Sequence, residues 1–526
     1  MIFVAAATAC NIMSEHEAML AAGWSDGLPL IPPTADRVAA MMAGTAREPT
    51  ESLGLCPPMY NACTVGKVAA NAVMAGCEPS HLRVVLAAVE AMLDEPFNLH
   101  GVHATTMGAT PCVIVSGPIR HEAGLDSSHG ALGSGDSRRA NLCIGRAVKL
   151  VLQNVGGAKL GGTESTTIGT PMKLSMCVAE AEELFDDAPG WAPYHVASRG
   201  ANHGDSMVTV LAVTSGPHQM VDFTTRDAHT LVNLLGAHLA ATYACHLPLV
   251  NEALLVVSPE HFTTLKRGGV VSKEQLATCL WHCANRAASR HIVRTLFVAK
   301  PNLRPWVIVA VGSALGLLAF ALSLLADLLS YVVPSIALYV LPLHSFVLAT
   351  LLKAPKFTSP TSFHILCAGA TAGKFSTTCA GFGVGLPPRP TANLSMACSA
   401  KVEEQGGNNN NKSYSARDVK AKIGEISIGP RTNSYGLIDP TGAYPRTALN
   451  PSLRLPTLDN ATIGLLDISK PGGATLLDQI ERRLLTDYPN LRCMRVSKPT
   501  FSRPMPKDFH QSKLQKCATV IAALAD

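Results

Sequence analysis

The apolar positions of this chain change period most cleanly near its end. Residues Ala461–Ile468 (ATIGLLDI) form a short apolar run, the pattern of a buried strand, with Asp467 near its close. After a Ser-Lys-Pro-Gly-Gly loop, Thr475–Leu485 sets Leu476, Leu477, Ile480, Leu484 and Leu485 at helical spacing. Arg492–Lys498 predicts a second strand stopped by Pro499, Asp508–Cys517 a second helix, and Ala518–Asp526 a third strand. Strands alternating with helices predict a small parallel sheet, Rossmann-like or flavodoxin-like. In such sheets ligands and catalytic groups gather beyond the carboxyl ends of the strands. Asp467, Lys498 and Asp526 stand at or near those ends and are the candidate catalytic surround; Lys498 could stabilise an anionic nucleophile. Cys517 starts the third strand, at the opposite edge, and reads as core.

Upstream, the same alternation predicts a large α/β domain whose strand order cannot be read from sequence. Gly23–Thr34 is dense in Gly, Asp and Pro and predicts a rigid loop. Thr64 caps a helix over Val65–Cys77, and Ser80 caps another over His81–Asp94. Cys112–Ser116, Lys173–Val178, Ser206–Val213 and Glu252–Val257 read as strands, and Asp227–Ala244 as a helix. Gly130–Pro171 carries glycines at both ends of a central helix, with Arg138, Arg139 and Arg146 in its first turns. A glycine loop feeding a helix start is an anion cradle, because free N–H groups and the helix dipole point at the ligand. Arg138, Arg139, Asn141 and Arg146, with Thr105 and Thr106, are therefore candidate substrate- or anion-binding residues. The alternative is a tight crossover whose glycines serve packing; the spacing is no nucleotide motif.

Two long apolar runs interrupt this pattern. Trp306–Ala326 and Leu328–Leu352 contain no charged residue, and each is long enough to span a bilayer of about 30 Å. Arg304 precedes them, Asp327 separates them, and Lys353 and Lys356 follow. That arrangement predicts a membrane hairpin with both soluble parts cytoplasmic. The alternatives are a single spanning segment, or translated non-coding sequence that leaves a cytoplasmic protein.

Composition narrows the chemistry. The chain has 526 residues and a net charge of +5, with 15% charged and 5% aromatic residues. No basic cluster interleaves with aromatics, so nucleic acid is not expected as a partner. The 15 cysteines are scattered among apolar residues and read as free thiols in a reducing compartment. The histidines show no metal-ligand spacing, and neither a metal nor a cofactor is evident. His103 and His129 lie in glycine-rich stretches and are the better placed for chemistry. Glu180, Glu182 and Glu183 could act as bases but sit in an acidic run of the kind that is usually solvated.

Particular residues also carry a family resemblance. GLLDISKPGGATLLDQI, then VSKP, then CATVIAALAD resembles the domain named for its U-G-S-C or C-G-S-C motif, in which U is selenocysteine. The W-S-D-G-L-P segment at Trp24–Pro29, Thr105-Thr106 and Ser116-Gly117-Pro118 resemble the large N-terminal part of the same family. The resemblance implies a division into a large domain over 13–284 continuing through 358–432, a hydrophobic insert over 285–357, a linker over 433–460 and the terminal unit over 461–526. The low-complexity 403–412 reads as an exposed loop in the continuation.

In that family the motif directly follows the aspartate matched here by Asp526. The selenocysteine codon is also a stop codon, so the expectation is a selenoprotein frame cut at that codon; the alternative is a terminus that lost the motif. The implied activity is thiol- or selenol-dependent redox chemistry on a small substrate or thiol partner, with this chain itself inactive. The alternatives are a catalytically dead binding or scaffold protein, or a membrane-tethered interaction protein. Oligomeric state is not legible.

Overall fold

The computed structural model describes residues 15–132, 139–242, 252–298, 356–371, 373–382, 397–403, 414–428, 435–442, 455, 457–469, 473–498 and 514–523. In chain order they begin with helix α1 (Ala35–Met42), the antiparallel hairpin β1 (Ser52–Cys56) and β2 (Asn61–Thr64), and helices α2 (Val65–Ala75), α3 (Pro79–Leu93) and α4 (Leu99–Ala104). Thr64 caps α2 as its sequence predicts, its hydroxyl accepting from Lys67 N at 3.4 Å. The cap of α3 differs. Pro79 is pre-organised for the first helical position, so the cap falls on Glu78 rather than Ser80, and His81 Nδ1 accepts from Glu78 N at 3.1 Å.

The central sheet follows. Its strands are β3 (Thr110–Ser116), β4 (Cys177–Ala179), β5 (Met207–Val221), β6 (Ala253–Val257), β7 (Phe363–Cys367), β8 (Phe375–Gly381) and β9 (Cys398–Lys401). They run in the order β4-β3-β5-β8-β6-β7, with β9 beside the first half of β5. The sheet is mixed: β3/β4 and β6/β7 are parallel, while β5 and β8 are antiparallel to their neighbours. β6 and β7 pair directly although the apolar insert separates them in sequence.

Alternation along the strands shows how the sheet buries its faces. Val113 and Val115 of β3 and Val208 and Val210 of β5 pack with α2, α3 and helix α5 (Ala140–Asn154). Cys112, Ile114, Leu211 and Val213 point the other way, where they meet Leu254, Val256 and Leu366 of β6 and β7. Strands at two ends of one sheet touching through the same layer means that the sheet curls. The outer face of β6 and β7 is covered by α6 (Ala228–Ala241), α7 (Pro259–Arg267) and α8 (Lys273–Val298).

Three local expectations change. Lys173–Val178 shortens to β4, because Pro171–Lys173 turns as a single 3-10 turn. The acidic run is not a solvated face throughout: Glu180 is fully buried, held by Lys273 Nζ at 2.6 Å and by the N–H groups of Tyr194 and Cys367 at 2.5 and 2.9 Å. His103, expected in a glycine-rich stretch, lies on α4 and is buried.

Helix α9 (Ala416–Ile423) and the hairpin β10 (Glu425–Ile428) and β11 (Tyr435–Ile438) lead back to the large domain, where Leu437 and Ile438 are buried with its main core. The terminal unit is a separate sheet of β12 (Thr462–Asp467), β13 (Arg492–Ser497) and β14 (Thr519–Ala523), with α10 (Gly473–Asp487) packed on it. Both pairings are parallel and β12 is central. Val520 pairs with Gly464 and Ile521 with Leu465, which puts the third strand of the expected parallel sheet beside the first. Val520 is nonetheless 39% exposed, because β14 is an edge strand covered on one face only.

Among the described residues no helix is long and apolar enough to cross a membrane. The apolar runs of 306–352 lie outside the described residues, as does the greater part of 403–412.

Candidate functional site

The carboxyl edge of the terminal sheet is built by three chain ends in register. Asp467 stands opposite both Ser497 and Ala523. Its carbonyl accepts from Lys498 N at 2.8 Å, and its Oδ1 accepts from Ser469 N at 2.8 Å. Ser469 takes a left-handed conformation, φ 68°, and its hydroxyl bonds the carbonyl of Lys498. One side chain thus ties the loop after β12 to the end of β13, which makes a braced rim at the place where parallel sheets put their chemistry. Burial lowers the pKa of the Lys498 ammonium. Asp526 lies outside the described residues.

His100, on α4, has its pKa lowered first by burial and second by the charge of Lys498. Its ring stacks on Tyr60 with centroids 5.8 Å apart, and Tyr60 Oη lies 3.3 Å from Nδ1. Tyr60 is carried by the turn between β1 and β2, after the cis Pro57–Pro58 bond, and is itself left-handed at φ 56°. Tyr60 and His100 thus stand together as a phenol and an imidazole, and the charge of Lys498 is felt at the His100 ring.

The anion-binding candidates occupy other positions. Arg146 is engaged by Asp26 and by the carbonyl of Pro29 at 2.9 Å, so an external anion there would compete with an internal carboxylate. Arg139 pairs with Glu78 at 3.0 Å on the surface. Asn141 is buried and bridges the backbone of Asp126 in both directions, at 2.9 and 3.1 Å. Thr105 Oγ1 accepts from Met107 N at 3.1 Å, and the carbonyl of Thr106 accepts from Thr167 N at 2.9 Å, so this pair anchors a loop crossing. Arg138 lies outside the described residues.

Residues 436–526, which take in part of β11 and the whole of the three-stranded sheet, match the family model described as UGSC family. This segment is a UGSC family domain. No curated protein and no solved structure matches the chain. The match begins within β11, which is packed in the large domain, and so takes in the connection as well as the sheet of the UGSC domain.

The UGSC domain keeps its thiols away from the rim. Cys517 lies before β14 at the amino-terminal edge, its Sγ 4.0 Å from Met494 Sδ. Sequence reasoning reached Asp467 and Lys498 but missed His100 and Tyr60. They belong to separate elements of the other domain, and no spacing links them to the rim.

Proposed function

We propose that the UGSC domain is the scaffold of a thiol- or selenol-dependent redox protein that acts on a small substrate or a thiol partner. The observation that carries this reading is the braced carboxyl edge of the parallel sheet, where Lys498 N donates to the Asp467 carbonyl at 2.8 Å and the Ser469 hydroxyl ties the loop after β12 to the end of β13. The strand order β13-β12-β14 puts the first strand of the unit in the middle, and this supports a flavodoxin-like reading of the sheet. The resemblance puts the reactive chalcogen directly after the residue matched by Asp526. A thiolate or selenolate there would stand at the edge that carries the Lys498 ammonium, a positive charge that favours the anion over the protonated form. Attack on a disulfide substrate forms a mixed bond and releases one thiolate. The motif's second cysteine then displaces the other, leaving the motif oxidised and the substrate reduced. Two equivalents of an external thiol, the first forming a mixed bond and the second displacing it, return the motif to its starting state and leave as their own disulfide.

The test appends Cys-Gly-Ser-Cys after Asp526 and titrates the first thiol by its thiolate absorbance. The expected pKa lies below the ordinary value of about 8.5 and rises in Lys498→Met. A thiol that titrates like free cysteine in both proteins overturns the reading.

A further inference from the structure

The inner side of α4 carries a second cluster that the proposed redox chemistry leaves unused. His103, one turn beyond His100, is 4% exposed, and its Nε2 has no hydrogen-bond partner among the described residues. It borders a cavity of about 10 Å³, room for one water-sized group. Lys149 from α5, Lys173 from the turn before β4 and Glu164 from the loop after α5 border the same cavity. Glu164 Oε2 lies 2.9 Å from Lys149 Nζ, and Oε1 lies 2.8 Å from Lys173 Nζ. Lys173 also donates to the carbonyl of Ala109 at 2.7 Å.

The charges do not cancel. Two ammonium groups against one carboxylate leave one positive charge in a largely buried place, and His103 adds none. Burial, followed by the charge of Lys149, pushes the pKa of His103 down to about 3, so the ring is neutral at neutral pH. A buried polar atom without a partner is rare in a native protein. The group that answers both features is an acceptor oxygen bearing a single negative charge.

We infer that this cavity binds one oxygen of a small carboxylate, with His103 Nε2–H and Lys149 Nζ as donors and Glu164 fixing the two lysines. The cavity admits only that oxygen. The rest of the ligand lies toward the mouth, where the side chains of Lys149 and Lys173 are 17% and 13% exposed. A monoanion neutralises the cluster, whereas a dianion would reverse its charge. The inference is independent of the thiol chemistry above, and its test uses the chain without an added motif.

Formate is the probe. The full chain is labelled at histidine, and the His103 resonances are followed as sodium formate is added, against sodium chloride at matched ionic strength. The expected result is a saturable shift with formate and none with chloride. His103→Phe keeps a ring in the cavity but removes the donor, and the affinity measured by calorimetry falls about tenfold or more. Lys149→Met is expected to weaken binding as well. It leaves Glu164 to Lys173 alone and risks the fold, so the wild-type titration and His103→Phe decide. A His103 signal indifferent to formate, as for a cavity holding a structural water, overturns the inference. So does an equal response to chloride, or an unchanged affinity in His103→Phe.

Discussion

Asp26 and Arg146, 120 residues apart, close a two-point ion pair, with Nε 2.7 Å from Oδ2 and Nη2 2.8 Å from Oδ1. The pair fastens the Gly23–Thr34 loop to the middle of α5. Neighbouring bonds reinforce it: Gln153 Nε2 donates to the carbonyl of Ser25 at 2.8 Å and Asn154 Nδ2 to that of Trp24 at 3.0 Å. The Asp26 side chain is 1% exposed, so its charge depends on Arg146. Arg146→Ala is expected to cost about 3 kcal/mol in denaturant unfolding, because it strands a buried carboxylate. Burial by itself would raise the pKa of Asp26, but the hydrogen bond and charge of Arg146 outweigh it and the folded pKa is lowered. The pair's contribution is therefore complete above the unfolded pKa of about 4 and fades as the pH falls through the lower folded value. Loss of less than about 1 kcal/mol in Arg146→Ala would show that Asp26 finds other partners.

Glu164 gives a second acid-sensitive contact. Burial would raise its pKa, but the charges and hydrogen bonds of Lys149 and Lys173 bring it down from 4.5 to about 2. Its share of stability is present above 4.5 and is lost as pH falls toward about 2. Glu164→Gln should destabilise by about 3 kcal/mol at neutral pH and flatten the stability profile across that window. A profile as steep as that of the wild type would assign the acid dependence to other carboxylates.

The reach of the Lys498 charge is tested by titration of one residue. Lys498 lowers the pKa of His100 by its charge, in addition to the effect of burial. Lys498→Met should raise the pKa of His100 in an NMR titration while leaving His81, whose lowering comes mainly from its own burial, unchanged. If His100 titrates identically in both proteins, the rim of the UGSC domain does not face α4.

Gly145 sets how closely α5 approaches the sheet. A Cβ there would lie 2.4 Å from Ser175 Oγ and 2.7 Å from Met176 N, the backbone entering β4. Helix propensity favours alanine over glycine by about 1 kcal/mol. The contact with backbone reverses the sign, and Gly145→Ala should lower stability by about 1–2 kcal/mol in thermal or denaturant unfolding. A stabilised variant would mean that the turn at Ser175 yields freely.

The terminal sheet was legible because its evidence is local. Apolar runs of strand length around an amphipathic helix specify β12, α10, β13 and β14, and the residues at their carboxyl ends follow from that count. The helix starts at Thr64 and Asp227 were legible for the same reason: a side-chain cap acts on an N–H a few residues away, at 3.4 and 2.8 Å. What only the tertiary structure decided is non-local. The order β4-β3-β5-β8-β6-β7 rests on pairings between distant segments that no periodicity encodes. The same is true of Arg146 meeting Asp26, Tyr60 stacking on His100, and His103 bordering one cavity with Lys149 and Glu164. In sequence these are separate charges and rings. Their pKa values and their partners come into being only when the sheet curls and the helices close over it.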